Sequence, residues 1–391
     1  MFLNRLFSPT SKKFKDLPRW QRAVWMFNIL LVLYSIIAFL AIHIPPARFW
    51  VAGFLTLSTP VVLAVHSSLI IYWLIHFSRR ALLSLLILLI AFPLLKRTFA
   101  LHWDKATDTE RSFTVLSYNT QLFSAHDYFN NGDKLKPKQA IEWLTQNEAD
   151  IKCLQEFYDQ DGSRVFNSIH RIAMAGNYHY YITPLFYENH NWKGFYGVAI
   201  FSKFPIVKTG DIIFDRQTLN KGIFADVKIG QDTVRVFSVH LYSMNIQTDK
   251  LDFSKDYSAV KSDYRDVLKR LKNGFLAHSR QITTLDRYIR NSPHPVIVCG
   301  DFNALPYSFT YQKVRRRLNN AFEDAGNGFG FTYNNDKLFF LRIDNQFYSG
   351  GLLNVRDFRT HHDVTFSDHF PISATYTIGQ DSANADQVAQ E

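Results

Sequence analysis

Residues 23–44 contain no charged side chain, and neither do residues 49–78. A helix of about 20 apolar residues crosses the hydrocarbon core of a bilayer, so each stretch is long enough to span one. Pro45-Pro46 breaks the chain between them. A third charge-free stretch, Ala81–Leu95, is 15 residues long with Pro93 near its end. It spans if Lys96 and Arg97 snorkel or the bilayer thins, and otherwise forms a buried or interfacial helix. The apolar stretches are too long and too many for a cleaved signal peptide. Two or three transmembrane helices are therefore expected in residues 1–100, near 23–44, 49–77 and 81–100.

Charge follows the same division. The formal net charge of +10 lies entirely in residues 1–100, which hold eleven Lys or Arg and one acid, Asp16. Residues 101–391 carry 33 side chains of each sign. That balance lacks the basic composition of a domain built to track a polyanion. Arg5, Lys12, Lys13, Lys15, Arg19 and Arg22 keep the N-terminal flank cytoplasmic, Arg48 alone marks a translocated loop, and Arg79-Arg80 return to the cytoplasm. Three spans then place residue 101 onward on the non-cytoplasmic side, whereas two leave it inside. Lys96, Arg97, Lys105 and Arg111 fall on the translocated side in the three-span scheme. Cys153 and Cys299 each lie in an apolar run without metal-ligand spacing, as buried thiols acting as small hydrophobes do.

Beyond the apolar segment, strand and helix patterns intermix. Pro295–Asn303 (PVIVCGDFN) is central: a β-branched apolar run typical of a strand buried on both faces, then Gly300, Asp301 and Asn303 at its end. Strands are also expected at Ser112–Asn119, Ala149–Glu156, Tyr178–Ile182 and Gly197–Ser202. Gly222–Lys228 and Thr233–His240 read as a hairpin around Gly230-Gln231. Helical spacing marks Leu135–Asn147 and the region of Leu268, Leu271, Phe275 and Leu285. The mixture favours two mixed sheets packed together with helices outside, ending in a polar tail over 381–391.

Polar residues recur where these strands end: Asn119, Glu156, His240, Asp301, Asn303, Asp344, Asp368 and His369. Singly, each is more often a turn former or a satisfied histidine; jointly they point to a site. SYNT at Asn119, LQE at Glu156, SVHL at His240, GDFN at Asp301–Asn303, RID at Asp344 and SDH at Asp368-His369 resemble the endonuclease/exonuclease/phosphatase superfamily, in its order, across residues 112–374. GVAIFSKFP (197–205) is similar to the family's strand before the histidine. Two departures stand out: Asn345-Gln346-Phe347 follows RID where the family commonly continues with an aromatic and then aliphatic residues, and Ala304 follows GDFN where a polar residue is common.

The resemblance implies an α/β fold, a two-sheet α/β sandwich of the deoxyribonuclease I-like kind, here preceded by an all-α transmembrane segment. The catalytic domain would occupy about 106–380. The resemblance also implies hydrolysis of a phosphodiester or phosphomonoester by metal-assisted in-line attack of water, with Mg²⁺, or Mn²⁺ in its place, as the hard cation. Asn119, Glu156 and Asp368 would hold the metal, Glu156 as principal ligand. Asp301 would take a proton from the attacking water or orient it, with Asn303 holding that water or a phosphate oxygen. His369, oriented by Asp344, would donate to a non-bridging oxygen, and His240 would be a second donor. The motifs leave open which histidine protonates the leaving oxygen and whether one metal or two act. No covalent intermediate is expected, because no Ser, Cys or Thr has a nucleophile context.

The ester is not encoded in those motifs. The apolar segment and neutral domain favour a lipid headgroup or small phosphoester, with the bilayer as partner; no protein partner is inferable. The alternative is a tethered nuclease for DNA or RNA, for which Arg315-Arg316-Arg317 beside Tyr307, Phe309 and Tyr311 is the best local signal. A non-catalytic membrane scaffold is a third reading, disfavoured by the intact acidic and amide set. Trp192, Phe195 and Tyr196 in the aromatic stretch 187–196 fit base stacking or bilayer contact equally. Residues 241–280 leave room for a substrate-shaping element.

Overall fold

Strands mostly buried on both faces assemble the larger part of the chain from two six-stranded mixed sheets. In the computed structural model, residues 14–102, 112–132, 134–185, 194–214, 220–244 and 257–379 are described. The N-terminal part comprises α1 (Arg19–Ala41), α2 (Val51–Leu57), α3 (Thr59–Ile75) and α4 (Ala81–Ile90). The catalytic part follows with β1 (Ser112–Asn119), α5 (Leu135–Gln146), β2 (Ile151–Asp159), β3 (His179–Leu185), β4 (Phe195–Ser202), β5 (Ile206–Ile213), β6 (Lys221–Ile229) and β7 (Asp232–His240). It is completed by α6 (Tyr257–Arg290), β8 (Val296–Asp301), α7 (Phe309–Arg315), β9 (Asp344–Tyr348), β10 (Leu353–Thr360) and β11 (Ile372–Ile378).

One sheet has the order β9-β8-β7-β6-β5, with Asn319–Asn320 on the outer side of β9; the other has β10-β11-β1-β2-β4-β3. β7 pairs with β8, and β1 with β2, in parallel, while the remaining neighbours are antiparallel. The inner faces interleave Val115, Ile200, Ile223, Val236 and Ile297 in one core between the sheets. Cys153 and Cys299 meet there as buried free thiols, and burial pushes the Cys299 thiol well up. Gln346 crosses the same layer: its amide donates to the carbonyls of Val115 and Ile372 at 3.1 Å, and Tyr376 donates to its oxygen at 3.0 Å. Asn345-Gln346-Phe347 therefore continues a strand, because each buried polar side chain there finds a hydrogen-bond partner.

Several boundaries differ from the sequence pattern. β2 does not stop at Glu156 but passes through a bulge and continues to Asp159, since Phe157 and Tyr158 still have core to fill. Strands β5 and β10 carry weak alternation, and β11, although it alternates as ISATYTI, is a third strand beyond those expected. The third apolar stretch is not one helix over 81–100. Pro93 falls in a separate turn, Phe92–Leu95, after α4, and Phe99–Ala100 pairs with Gly328–Phe329.

α1 is the one described helix long and apolar enough by itself to cross a bilayer, and α2 with α3 forms a pair bent by 41° that reaches that length together. Polar groups tie the helices. His66 contacts Ser35 at 2.9 Å and Ser84 at 3.0 Å, and Ser84 donates to Asn28 at 2.9 Å, all four residues being fully buried. The bundle also packs on the catalytic part. Arg97 donates to the Pro306 carbonyl at 2.9 Å, Thr98 meets the Tyr307 hydroxyl at 2.7 Å, and Phe54 packs edge-on against Phe275.

Lys152 on β2 is fully buried, donates to the Leu144 carbonyl at 2.6 Å and lies over the Tyr178 ring. Burial, helped by nearby Lys203, lowers its ammonium from 10.5 to about 7. Below pH 7 the folded and unfolded chains both carry this proton, and the folded chain bears the whole cost of burying the charge. Between pH 7 and 10 the folded chain sheds the proton first, so stability rises by up to about 1.4 kcal/mol per pH unit. The denaturant midpoint of the detergent-solubilised chain should rise from pH 7 to pH 9, and Lys152→Met should flatten that rise. Parallel profiles for the two proteins would exclude this assignment.

Candidate active site

The strand-end residues converge from both sheets onto one rim. The motif GDFN ends β8, where Gly300 has φ of 143° and the Val239 carbonyl oxygen lies 1.9 Å from the position a Cβ would take. Only glycine fits there, and it turns Asp301 inward. Asp301 is 1% exposed and held on both oxygens. Its Oδ1 accepts from the Asn303 backbone N–H at 2.8 Å, and its Oδ2 accepts from the side-chain amides of Asn303 at 2.8 Å and Asn119 at 3.1 Å.

Asp344 opens β9 in register with Asp301, and its backbone N–H donates to Thr332 at 3.1 Å. His369 arrives from the segment before β11, and its Nδ1 lies 2.8 Å from Asp344 Oδ2. Its Nε2 then stands 3.8 Å from Asp301 Oδ2. Burial opposes the imidazolium, but the Asp344 and Asp301 carboxylates overcome it and hold His369 well above its ordinary value. Burial pushes Asp301 up to about 6, with Asp344 adding to the rise and His369 opposing it. His240 ends β7 with Nε2 3.5 Å from Glu156 and 3.6 Å from Asp301, and that atom has no hydrogen-bond partner. Burial lowers its pKa, partly offset by Asp301.

Glu156 occupies the bulge of β2 with φ of 46°, a left-handed conformation that is costly for glutamate. The bulge aims its carboxylate out of the sheet, so that a third of the side chain stays accessible. Burial and then the neighbouring Asp368 raise its pKa, with His369 and the Asn119 amide opposing. Two carboxylates and an amide thus share a partly buried corner with hard oxygen donors and excess negative charge, a set that fits a divalent cation. Asp301, Asp344 and His369 also bring ligand atoms within 4.8 Å of one another. Asp344 and His369 are already engaged with each other, which leaves the Glu156 corner as the better cation site.

Ser367, Gln121 and Tyr333 escaped the sequence reading. Ser367 donates to the Asn119 carbonyl at 2.8 Å and receives the His369 N–H at 3.1 Å, while the Gln121 side chain receives the Asp368 N–H at 3.2 Å. They anchor the SDH segment to the end of β1. Ser367 lies inside that motif and Gln121 two residues past Asn119; Tyr333, which pairs with His369 as an isolated bridge, had no local signal.

The arginine triplet is engaged within the chain. Arg315 pairs with Glu323, Arg316 donates to His43 and Arg317 pairs with Asp286. Trp192, with the rest of 186–193, lies outside the described residues, as do 245–256 and the tail from 380; Phe195 and Tyr196 begin β4.

Residues 21–98 match the model for a domain of unknown function (DUF8431). No curated protein matches the chain in sequence. Solved structures similar to it include the human Nocturnin catalytic domain with bound sulfate, at 19% identity over 71% of this chain and 97% of that one, with a TM-score of 0.49. A functionally unknown conserved protein from Enterococcus faecalis V583 aligns at 15% identity over 68% of this chain and 100% of its own, again with a TM-score of 0.49. An endonuclease/exonuclease/phosphatase family protein from Bacteroides thetaiotaomicron aligns at 17% identity over 68% and 98%, also at 0.49. The model that matches residues 116–369, from within β1 to His369, is that of the Endonuclease/Exonuclease/phosphatase family, whose members hydrolyse phosphoester bonds, and the chain belongs to that family.

Proposed function

We propose that the protein is a membrane-anchored, divalent-metal-dependent phosphoesterase. Residues 1–100 form the anchor and about 106–380 the catalytic domain. The observation that carries this reading is the convergence of Asp301, with its two amide donors, on the His369–Asp344 pair, beside the Glu156 corner.

Glu156, Asp368 and Asn119 would hold Mg²⁺ or Mn²⁺, which when bound neutralises phosphate charge and stabilises the leaving oxygen. Asp301 is a base poised close to neutrality, fixed by Asn119 and Asn303 so that it accepts a proton from the attacking water without reorienting. His369, kept protonated by Asp344, donates through Nε2 to a non-bridging oxygen as charge builds there. The unpartnered Nε2 of His240 faces the same space and serves as the second donor to the phosphate or leaving group.

The membrane reading is supported by what the bundle leaves uncovered. Only 17% of the apolar window of α1 is buried, unlike the core helix of a soluble protein. Leu30, Val61 and Ile71 are each more than 60% exposed. Trp20 packs on Tyr72, and Arg80 lies over Trp25 and Trp73, so Arg80 and these four aromatic residues gather at one end of the bundle. Pro46 and Gly53, at the other end, adjoin the catalytic cluster. With the basic end cytoplasmic, the catalytic domain lies on the non-cytoplasmic side.

In lipid nanodiscs, the full chain should hydrolyse bis(4-nitrophenyl) phosphate or 4-nitrophenyl phosphate with Mg²⁺ and lose that activity with chelator. Asp301→Ala and Asp344→Asn should each lower kcat by about 10²-fold or more. A folded chain inert on both esters and on a wider panel of lipid, nucleotide and nucleic-acid substrates would overturn the proposal. Glu156→Asn separates strain from function, because asparagine tolerates positive φ and removes a charge facing Asp368. It should raise the melting temperature in chelator by a few degrees and abolish the stabilisation that Mg²⁺ gives the native chain. An unchanged response to Mg²⁺ would remove Glu156 from the cation site.

A further inference from the structure

The catalytic rim opens into a cavity of about 250 Å³ whose two ends differ in chemistry. Glu156, Asp301, Asp368 and His369 line one end. Gly53, Leu57, Leu271, Phe275 and Leu305 line the other, and the first two of these come from the N-terminal bundle. Among the described residues, no Lys or Arg lines it.

The bundle wall is closely built against the catalytic part. A Cβ on Gly53 would lie 2.3 Å from the Phe275 ring, the Ala47 N–H donates to Ser279 at 3.3 Å, and the Lys272 ammonium sits 4.7 Å from the Trp50 ring centroid. α2 ends at Leu57, where the 41° bend separates it from α3. Leu57 lines the cavity yet is 37% exposed, and Val61 just beyond the bend lies on the apolar outer surface. The apolar lining of the cavity therefore includes a residue, Leu57, that is also accessible beside the outer face of the bundle.

We infer that the apolar half of this cavity is a binding subsite for the hydrocarbon chain of a membrane lipid phosphoester, with α2 as its bilayer-side wall. The inference rests on the phosphoesterase reading for the polar end. The substrate would enter from the bilayer, its chain along Leu57, Leu271 and Phe275 and its phosphate among Asp301, His369 and Glu156.

The test uses the full chain in nanodiscs and two matched diesters, methyl and hexadecyl 4-nitrophenyl phosphate, together with a hexadecyl phosphate bearing a terminal diazirine. The hexadecyl ester should show kcat/KM about tenfold or more above the methyl ester, which roughly two well-buried methylenes suffice to supply. Leu57→Gln, at a part-exposed position that tolerates polarity, should shrink that ratio severalfold. The diazirine should label the peptide carrying Leu271 and Phe275, which a lipid outside the bundle does not reach. A ratio indifferent to Leu57→Gln, with labels confined to the outer bundle surface, would reduce the chain effect to bilayer partitioning and overturn the subsite. Equal hydrolysis of both esters without cavity labelling would also overturn the subsite and leave the phosphoesterase reading intact. Cavity labelling without hydrolysis of either ester would uphold the subsite and count against the phosphoesterase reading.

Discussion

Asp301 and Asp344 face each other in register on adjacent antiparallel strands, both almost wholly buried. Two like charges so placed would drive β8 and β9 apart or force one carboxyl to stay protonated. His369, brought in before β11 of the opposite sheet, lies within ion-pair distance of both. One imidazolium thus neutralises a repulsion within one sheet using a residue that precedes a strand of the other. The docking of the two sheets and the assembly of the site are the same event. The amides of Asn119 and Asn303 complete it, since burial of Asp301 is tolerable only with both of its oxygens satisfied.

Strained backbone clusters around that group. Glu156, Asn303 and all four residues of Gln121–Ser124 have positive φ. Each aims or anchors something at the rim: the Glu156 carboxylate, the Asn303 amide, and Gln121, whose side chain holds the Asp368 N–H. Regular strands would point these groups along the sheet rather than out of its end. Local conformational cost is balanced by the surrounding core, where Phe123 and Phe157 pack edge-on with both rings fully buried.

The sequence pattern revealed residue types and their order better than it revealed geometry. GDFN, SDH and RID each carry their chemistry within three or four adjacent positions, so Asp301, Asn303, Asp344 and His369 were legible without a fold. The central strand and the 222–240 hairpin were legible too, because both run apolar up to a clear turn signal. The bulge at Glu156 was not: it shows only as a partner register, in which Leu154 opposes Ala199 and Phe157 opposes Gly197. Strand β5 alternates too weakly to be read, since most of its side chains remain accessible. Arg315-Arg316-Arg317 looked like a patch because its partners Glu323, His43 and Asp286 come from three different elements. The joining of bundle and cleft was invisible for the same reason, as Gly53 and Phe275 are remote in sequence.

That joining changes what the apolar segment is. A tether needs only length and hydrophobicity, and its sequence could be exchanged freely. Here Arg97, 7% exposed, donates to the Pro306 carbonyl and to Gln312 in α7, and its guanidinium lies over the Tyr311 ring. Tyr311 in turn receives a hydrogen bond from Arg342 at 2.8 Å, two residues before Asp344. Arg342 is itself buried, so its charge requires Tyr311, Asn320 and the nearby Glu323 to stay in place. Buried contacts therefore link the end of the apolar segment, through Tyr311, to Arg342, two residues before the carboxylate that orients His369. Excising residues 1–100 would uncover the apolar faces of Phe275 and Tyr307 and strip the cover from these contacts, so the bundle is part of the packing around the site and not only a tether.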